Sequence, residues 1–149
     1  MIIKFVTDDV IEIQGDSLQN LNFDELNLHR VILEFLDVSD SSFVKTDLRG
    51  AFLYQANLTN CNLTSSSLIV ADLRGVNLTN GNLKNARAMH CLFNDANLQN
   101  ANFQNANICG ADFSNADLQN TNFNGALYDK NTVFSENFDI SGCGGVFCV

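Results

Sequence analysis

Few side chains in this chain are able to do chemistry, and their spacing limits what that chemistry could be. His90 stands beside Cys91, a pairing in which an imidazole can take a thiol proton and leave a nucleophilic thiolate. Cys143 and Cys148 are close enough in sequence to share a metal ion or a disulfide. Two thiols supply only half of a four-ligand zinc site, however, and nothing else in the tail completes it. The five cysteines are odd in number and contain no C-x-x-C pair, which argues against a secreted disulfide framework or a zinc motif and for a reducing, cytoplasmic setting. Seventeen acidic against eight basic residues give a net charge of -9 and a pI near 4.3, a surface that repels nucleic acid and anionic membranes. The opening MIIKFVTDDV has neither a basic start with a long apolar run nor a small-residue cleavage site, and no eighteen apolar residues follow one another. A soluble, unexported protein is the expectation.

The elements that must position these residues repeat every five positions. A large apolar residue recurs at Phe23, Leu28, Leu33, Val38, Phe43, Leu48, Leu53, Leu58, Leu63, Leu68, Leu73, Leu78 and Leu83, then at Phe93, Leu98, Phe103, Ile108, Phe113, Leu118 and Phe123, with Ala88 alone small. Two positions earlier sits a mostly small residue, such as Ala56, Cys61, Ser66, Ala71, Ala96 or Ala101. Residues two apart on an extended segment face the same side, so both point inward while the Asn or Asp between them points out. The remaining two positions are rich in Asn, Gly, Ser, Thr and Gln, which suit a corner whose second residue takes positive φ. Short sides alternating with corners coil a chain into a solenoid filled by its apolar ladder.

The units ANLQN, ANFQN, ADFSN, ADLQN, ADLRG and ANLTN resemble A-[DN]-[LF]-x-x, the signature of the pentapeptide repeat family. The resemblance covers roughly residues 18–128 and implies an all-β, right-handed quadrilateral β-helix with twenty residues per coil. A period of twenty also places the six central phenylalanines, Phe23, Phe43, Phe93, Phe103, Phe113 and Phe123, on two opposite sides of the square. At a strand spacing of roughly 4.8 Å, the tower has about six coils. Residues 1–17 are expected to form an N-terminal capping hairpin, two short strands about Thr7-Asp8-Asp9. Residues 129–149 leave the five-residue phase and form an irregular C-terminal cap, with Phe134, Phe138, Ile140 and Phe147 as plugs. Tyr128 to Asp139 resembles the family's "YD-x-NT-x-F-x-x-x-FD" ending, with Ser135 where proline is common.

This geometry argues against catalysis. His29 and His90 fall three coils apart, on the order of 14 Å, and cannot share a proton or a metal. Cys91 takes an inward position, where a thiol is inert. The NLT triplets at Asn57, Asn62 and Asn77 follow from the repeat and are not read as glycosylation sites. No cofactor, metal or enzymatic activity is expected.

The resemblance implies binding instead. Some members of the family bind DNA gyrase by imitating duplex DNA, and this chain shares their acidic balance. Its acids are badly placed for that role: residues 17–87 carry seven acidic and six basic side chains, against four and one in residues 1–16 and six and one in residues 88–149. A mimic would line acids along one continuous face. Two faces are dominated by neutral Asn, Thr and Gln, including Asn57, Asn77, Asn97, Thr59 and Gln99. The other two carry Ile32, Phe52, Tyr54 and Leu92, and Ile69, Val70 and Met89, with Arg49, Arg74 and Arg87 among them. Apolar and aromatic side chains beside arginines mark contact surfaces, so this strip is the candidate site for an unidentified protein partner. A gyrase-directed DNA mimic and a purely structural scaffold are the alternatives, and the competing account of the strip's residues is that they are scattered surface apolars of the ordinary kind or pack beneath the N-terminal hairpin or C-terminal tail.

Overall fold

The computed structural model describes residues 2–5, 10–12, 15–136 and 138–148. The unit Asn57-Leu58-Thr59-Asn60-Cys61 shows why five residues suffice. Leu58 N–H donates to Asn77 O of the next coil at 2.7 Å, Asn60 N–H to Thr79 O at 3.0 Å, and Asn57 N–H to Leu36 O of the preceding coil at 2.9 Å. Cys61 N–H closes the corner on Leu58 O at 3.1 Å. The fifth donor, Thr59 N–H, reaches the side chain of Asn57, whose Oδ1 accepts it at 3.1 Å. Every backbone donor of the unit therefore has a partner, as a buried-backbone solenoid demands.

The corner explains the composition. Its second residue is left-handed in unit after unit, with φ of 59° at Asn60, 59° at Asn80, 58° at Asn100 and 61° at Gly50, a conformation natural to Asn and Gly. Between corners each side contributes a parallel bridge to the next coil, giving columns such as Asn22–Ser42–Asn62–Asn82–Asn102–Asn122 and Ile32–Phe52–Asp72–Leu92–Asp112–Val133. The twenty-residue step and the quadrilateral β-helix follow from these columns. Among the described residues no helix is long and apolar enough to cross a membrane.

Inside, the predicted ladder packs as stacked rungs. Phe23 and Phe43 stack at 4.9 Å, Phe93 and Phe113 at 4.9 Å, and Phe103 and Phe123 at 5.3 Å, while Phe103 meets Phe113 edge-on at 5.8 Å. Leu58, Leu78, Leu98 and Ala88 are completely buried. Leu118 departs from the ladder's rule: it is half-buried, because the coil that would cover it has dissolved into the tail.

At the N-terminus β1 (Ile2–Phe5) pairs antiparallel with β2 (Val10–Glu12) and, on its other edge, with β3 (Val31–Ile32). The turn at Thr7-Asp8-Asp9 lies outside the described residues. At the other end, Asp129 and Thr132 replace the missing coil: Gly110 N–H lies 2.9 Å from Asp129 Oδ1 and 3.1 Å from Thr132 Oγ1. Phe134 then extends the aromatic stack on Phe113 at 5.1 Å, and Phe138 packs on it at 5.2 Å. Ile140 is buried, but Phe147 is 54% exposed, so it is not a plug. It lies instead in β5 (Val146–Phe147), which pairs parallel with β4 (Leu127–Tyr128).

Candidate interaction surface

The groups with catalytic composition do not converge. Cys91 donates its thiol to Leu68 O at 2.8 Å, and burial pushes that thiol up to about 12. His90 points out at a corner and faces Gly110 of the following coil, where a Cβ would come within 2.6 Å of its Cε1. Among the described residues no group of three His, Cys, Asp or Glu side chains is placed to hold a metal ion.

The mixed faces are more informative. Phe52 and Leu92 stand in one outward column, separated by Asp72, so their apolar surfaces are not continuous. Leu92 is 39% exposed and Phe52 half-buried. Ile32, at the foot of the column, is half-buried beside β1, opposite Lys4. Along one edge of this side Tyr54 is flanked above and below. Phe35 meets its ring edge-on at 5.4 Å, and Arg74 lies over it with Cζ 5.6 Å from the centroid. The guanidinium is held in place by Asp72, at 2.9 Å from Nε to Oδ1 and 2.7 Å from Nη2 to Oδ2. That fork is the first cause of the depressed Asp72 carboxyl and the raised Arg74.

Phe35 is the residue that the sequence reading missed. It is 66% exposed and sits at a corner with φ 61°, where the repeat favours Asn or Gly. The left-handed turn is common to the corners of the solenoid, so what sets Phe35 apart is a large apolar ring left exposed there. Val70 stands likewise on the opposite corner of this side, at φ 55° and 58% exposure. Ile69 and Met89 are half-buried on the adjoining side, next to Val70.

The repeat's own hydrogen bond gives a second measure of these positions. The outward Asn or Asp accepts the N–H two residues on in unit after unit, as Asn62 does for Thr64, Asn77 for Thr79, Asn97 for Gln99 and Asp112 for Ser114. Phe52 and Leu92 have no acceptor to offer to Tyr54 and Asn94. The apolar residues of this column thus forgo both solvation and a structural bond.

The profile of the pentapeptide repeats, in eight copies, matches residues 41–80, 56–95 and 91–127. The chain belongs to the pentapeptide repeat family. It is similar to alr5209, a pentapeptide repeat protein from Nostoc Pcc 7120, with 33% identity, a TM-score of 0.60, and coverage of 68% of this chain and 84% of that one. Rfr23, a pentapeptide repeat protein from the cyanobacterium Cyanothece 51142, is 28% identical over 79% of this chain and 87% of its own, with a TM-score of 0.46. No curated protein matches the chain.

Proposed function

We propose that this solenoid is a non-enzymatic binding protein that engages another protein through the face bearing Phe35, Tyr54, Arg74 and Leu92. The observation that carries the reading is the Phe35–Tyr54–Arg74 stack, in which an exposed Phe35 packs on a half-buried Tyr54 with an arginine pinned over it. Tyr and Arg are enriched at interface centres, and rigid side chains lose little freedom on binding. Elsewhere the repeat mostly puts Asn or Gly at the position of Phe35 and small or polar residues such as Thr, Ser and Gln at the position of Tyr54.

A DNA-mimicking role is disfavoured by the placement of charge. Of the acids on the two mixed faces, Asp47 and Asp72 are paired with Arg49 and Arg74 at 2.6 and 2.7 Å. The column Asp37–Asn57–Asn77–Asn97–Asp117 is acidic only at its ends.

The test is capture of partners from the source cell on immobilised wild-type protein and on the F35N/Y54S variant. Removing two aromatic anchors should weaken a partner by about 2 kcal/mol or more, roughly thirtyfold. A partner held equally by both would refute this surface. Inhibition of gyrase supercoiling by the purified protein at about micromolar concentration would promote mimicry over it.

A further inference from the structure

Among the described residues one pair of thiols lies close together, and it is not the pair nearest in sequence. Asn107 bridges Leu127, and Leu127 pairs with Val146 across β4 and β5. Two residues further along, Cys109 and Cys148 therefore rise on the same edge of the stack. The chain between them turns aside at Asp129, whose carboxylate takes the Gly110 N–H in place of a coil carbonyl. The two Sγ atoms lie 2.9 Å apart. Cys148 is fixed there by its backbone, with its N–H 2.8 Å from Tyr128 O.

The remaining cysteines are placed differently. Cys61 and Cys91 are buried and donate to Val38 O and Leu68 O. Cys143 is exposed, in the turn that precedes β5. Both Cys109 and Cys148 are partly accessible, so a soluble oxidant can reach them.

We propose that Cys109 and Cys148 form a reversible disulfide that latches β5 onto the end of the solenoid. With a disulfide oxidant such as oxidised glutathione, one protein thiolate attacks the oxidant's sulfur and expels a first glutathione thiolate, leaving a mixed disulfide. The second protein thiolate attacks the protein sulfur of that bond and expels the second glutathione. Two protein S–H bonds and the oxidant's S–S bond are lost, and one protein S–S bond forms. Both electrons and both protons end on two glutathione thiols. Burial, reinforced by Cys148, pushes the Cys109 thiol up to about 12; either order of attack gives the same link. Closing from 2.9 Å to the bonded distance of about 2.05 Å requires only a small approach of β5. The loop so closed runs from residue 109 to residue 148, long enough for the bond to restrict the unfolded chain substantially.

The full chain would be incubated with oxidised glutathione, alkylated and mapped by tandem mass spectrometry, with melting followed alongside. The expected result is a single Cys109–Cys148 link, with Cys143 still alkylated and the melting temperature raised by several degrees until reductant is added. C143S should keep both effects, while C109S and C148S should abolish both. A Cys143–Cys148 link in the wild type, or full alkylation of Cys109 and Cys148 after oxidation, would overturn the proposal; the mapping requires no variant to fold.

Discussion

Thr46 and Ser66 occupy successive rungs of one inward column, and their hydroxyls fare differently. Thr46 Oγ1 donates to Phe23 O at 2.7 Å. Ser66 Oγ is equally buried and has no partner among the described residues. Ser41, Cys61, Cys91 and Thr121 in neighbouring columns all donate to the carbonyl 23 residues before them, so Ser66 is the exception to a recurrent device.

An unpaired buried hydroxyl costs about 1 kcal/mol or more. S66A, which restores the family's usual residue, is therefore expected to raise the melting temperature by about 3 °C for a chain of this size. T46V should lower it by a similar amount. Thermal melts of the two variants check this directly, and a lower melting temperature for S66A would mean that its hydroxyl is bonded after all.

Gly110 tests the corner chemistry. Its φ is +70°, and a Cβ there would strike the His90 imidazole one coil below. G110A should cost about 1 to 2 kcal/mol for the left-handed backbone, with a further loss from displacing the ring. H90A in the G110A background should recover only the second part. Equal melting temperatures for G110A and the double variant would show that the ring yields without cost.

Much of this was legible because it is periodic. The inward ladder, the corners and the column arrangement all follow from a five-residue phase that persists through about a hundred residues, and a periodic signal survives local exceptions such as Ala88. The outward Asn was harder to interpret. Its position facing solvent is readable from the alternation, whereas its bond to the N–H two residues on depends on a turn geometry that the alternation does not specify. Phe35 matters through its contact with Tyr54 on the following coil, a pairing between corners that the outward columns do not spell out. The Cys109–Cys148 contact, the half-burial of Leu118 and the exposure of Phe147 all arise where the tail abandons the phase. There Val133 pairs with Asp112 after a step of twenty-one residues instead of twenty, and spacing no longer predicts neighbours.

Acid should destabilise the fold through identifiable carboxyls. Asp47 and Asp72 are held below the usual value of 3.8 first by the forks of Arg49 and Arg74, and Asp37 first by the Ser39 N–H. Because their folded pKa values lie below the unfolded ones, their contribution is complete above the unfolded value and is lost as pH falls through the folded values. Urea midpoints should be level from about pH 8 to pH 5 and fall below about pH 4. D72N should flatten part of that acid slope. An unchanged slope in D72N would remove the Arg74 fork from the account.

The column of Phe52 and Leu92 provides the sharpest separation of stability from binding. F52N and L92N would each supply the acceptor that the repeat places beneath the N–H two residues on, as Asn57 does for Thr59 at 3.1 Å. A gained bond is worth about 0.5 to 1.5 kcal/mol, which for Phe52 is offset by the half-buried ring that is lost and for Leu92, more exposed, is mostly retained. The double variant should therefore melt at or slightly above the wild-type temperature. If this face serves a partner, the same variant should bind it more weakly despite folding as well or better, because an interface residue that disobeys the structural pattern is retained for contact and not for the fold. Loss of about 2 to 5 kcal/mol of folding stability, the range for emptying a core site, would instead make Phe52 and Leu92 packing residues, and the aromatic pair of Phe35 and Tyr54 would then have to account for binding alone.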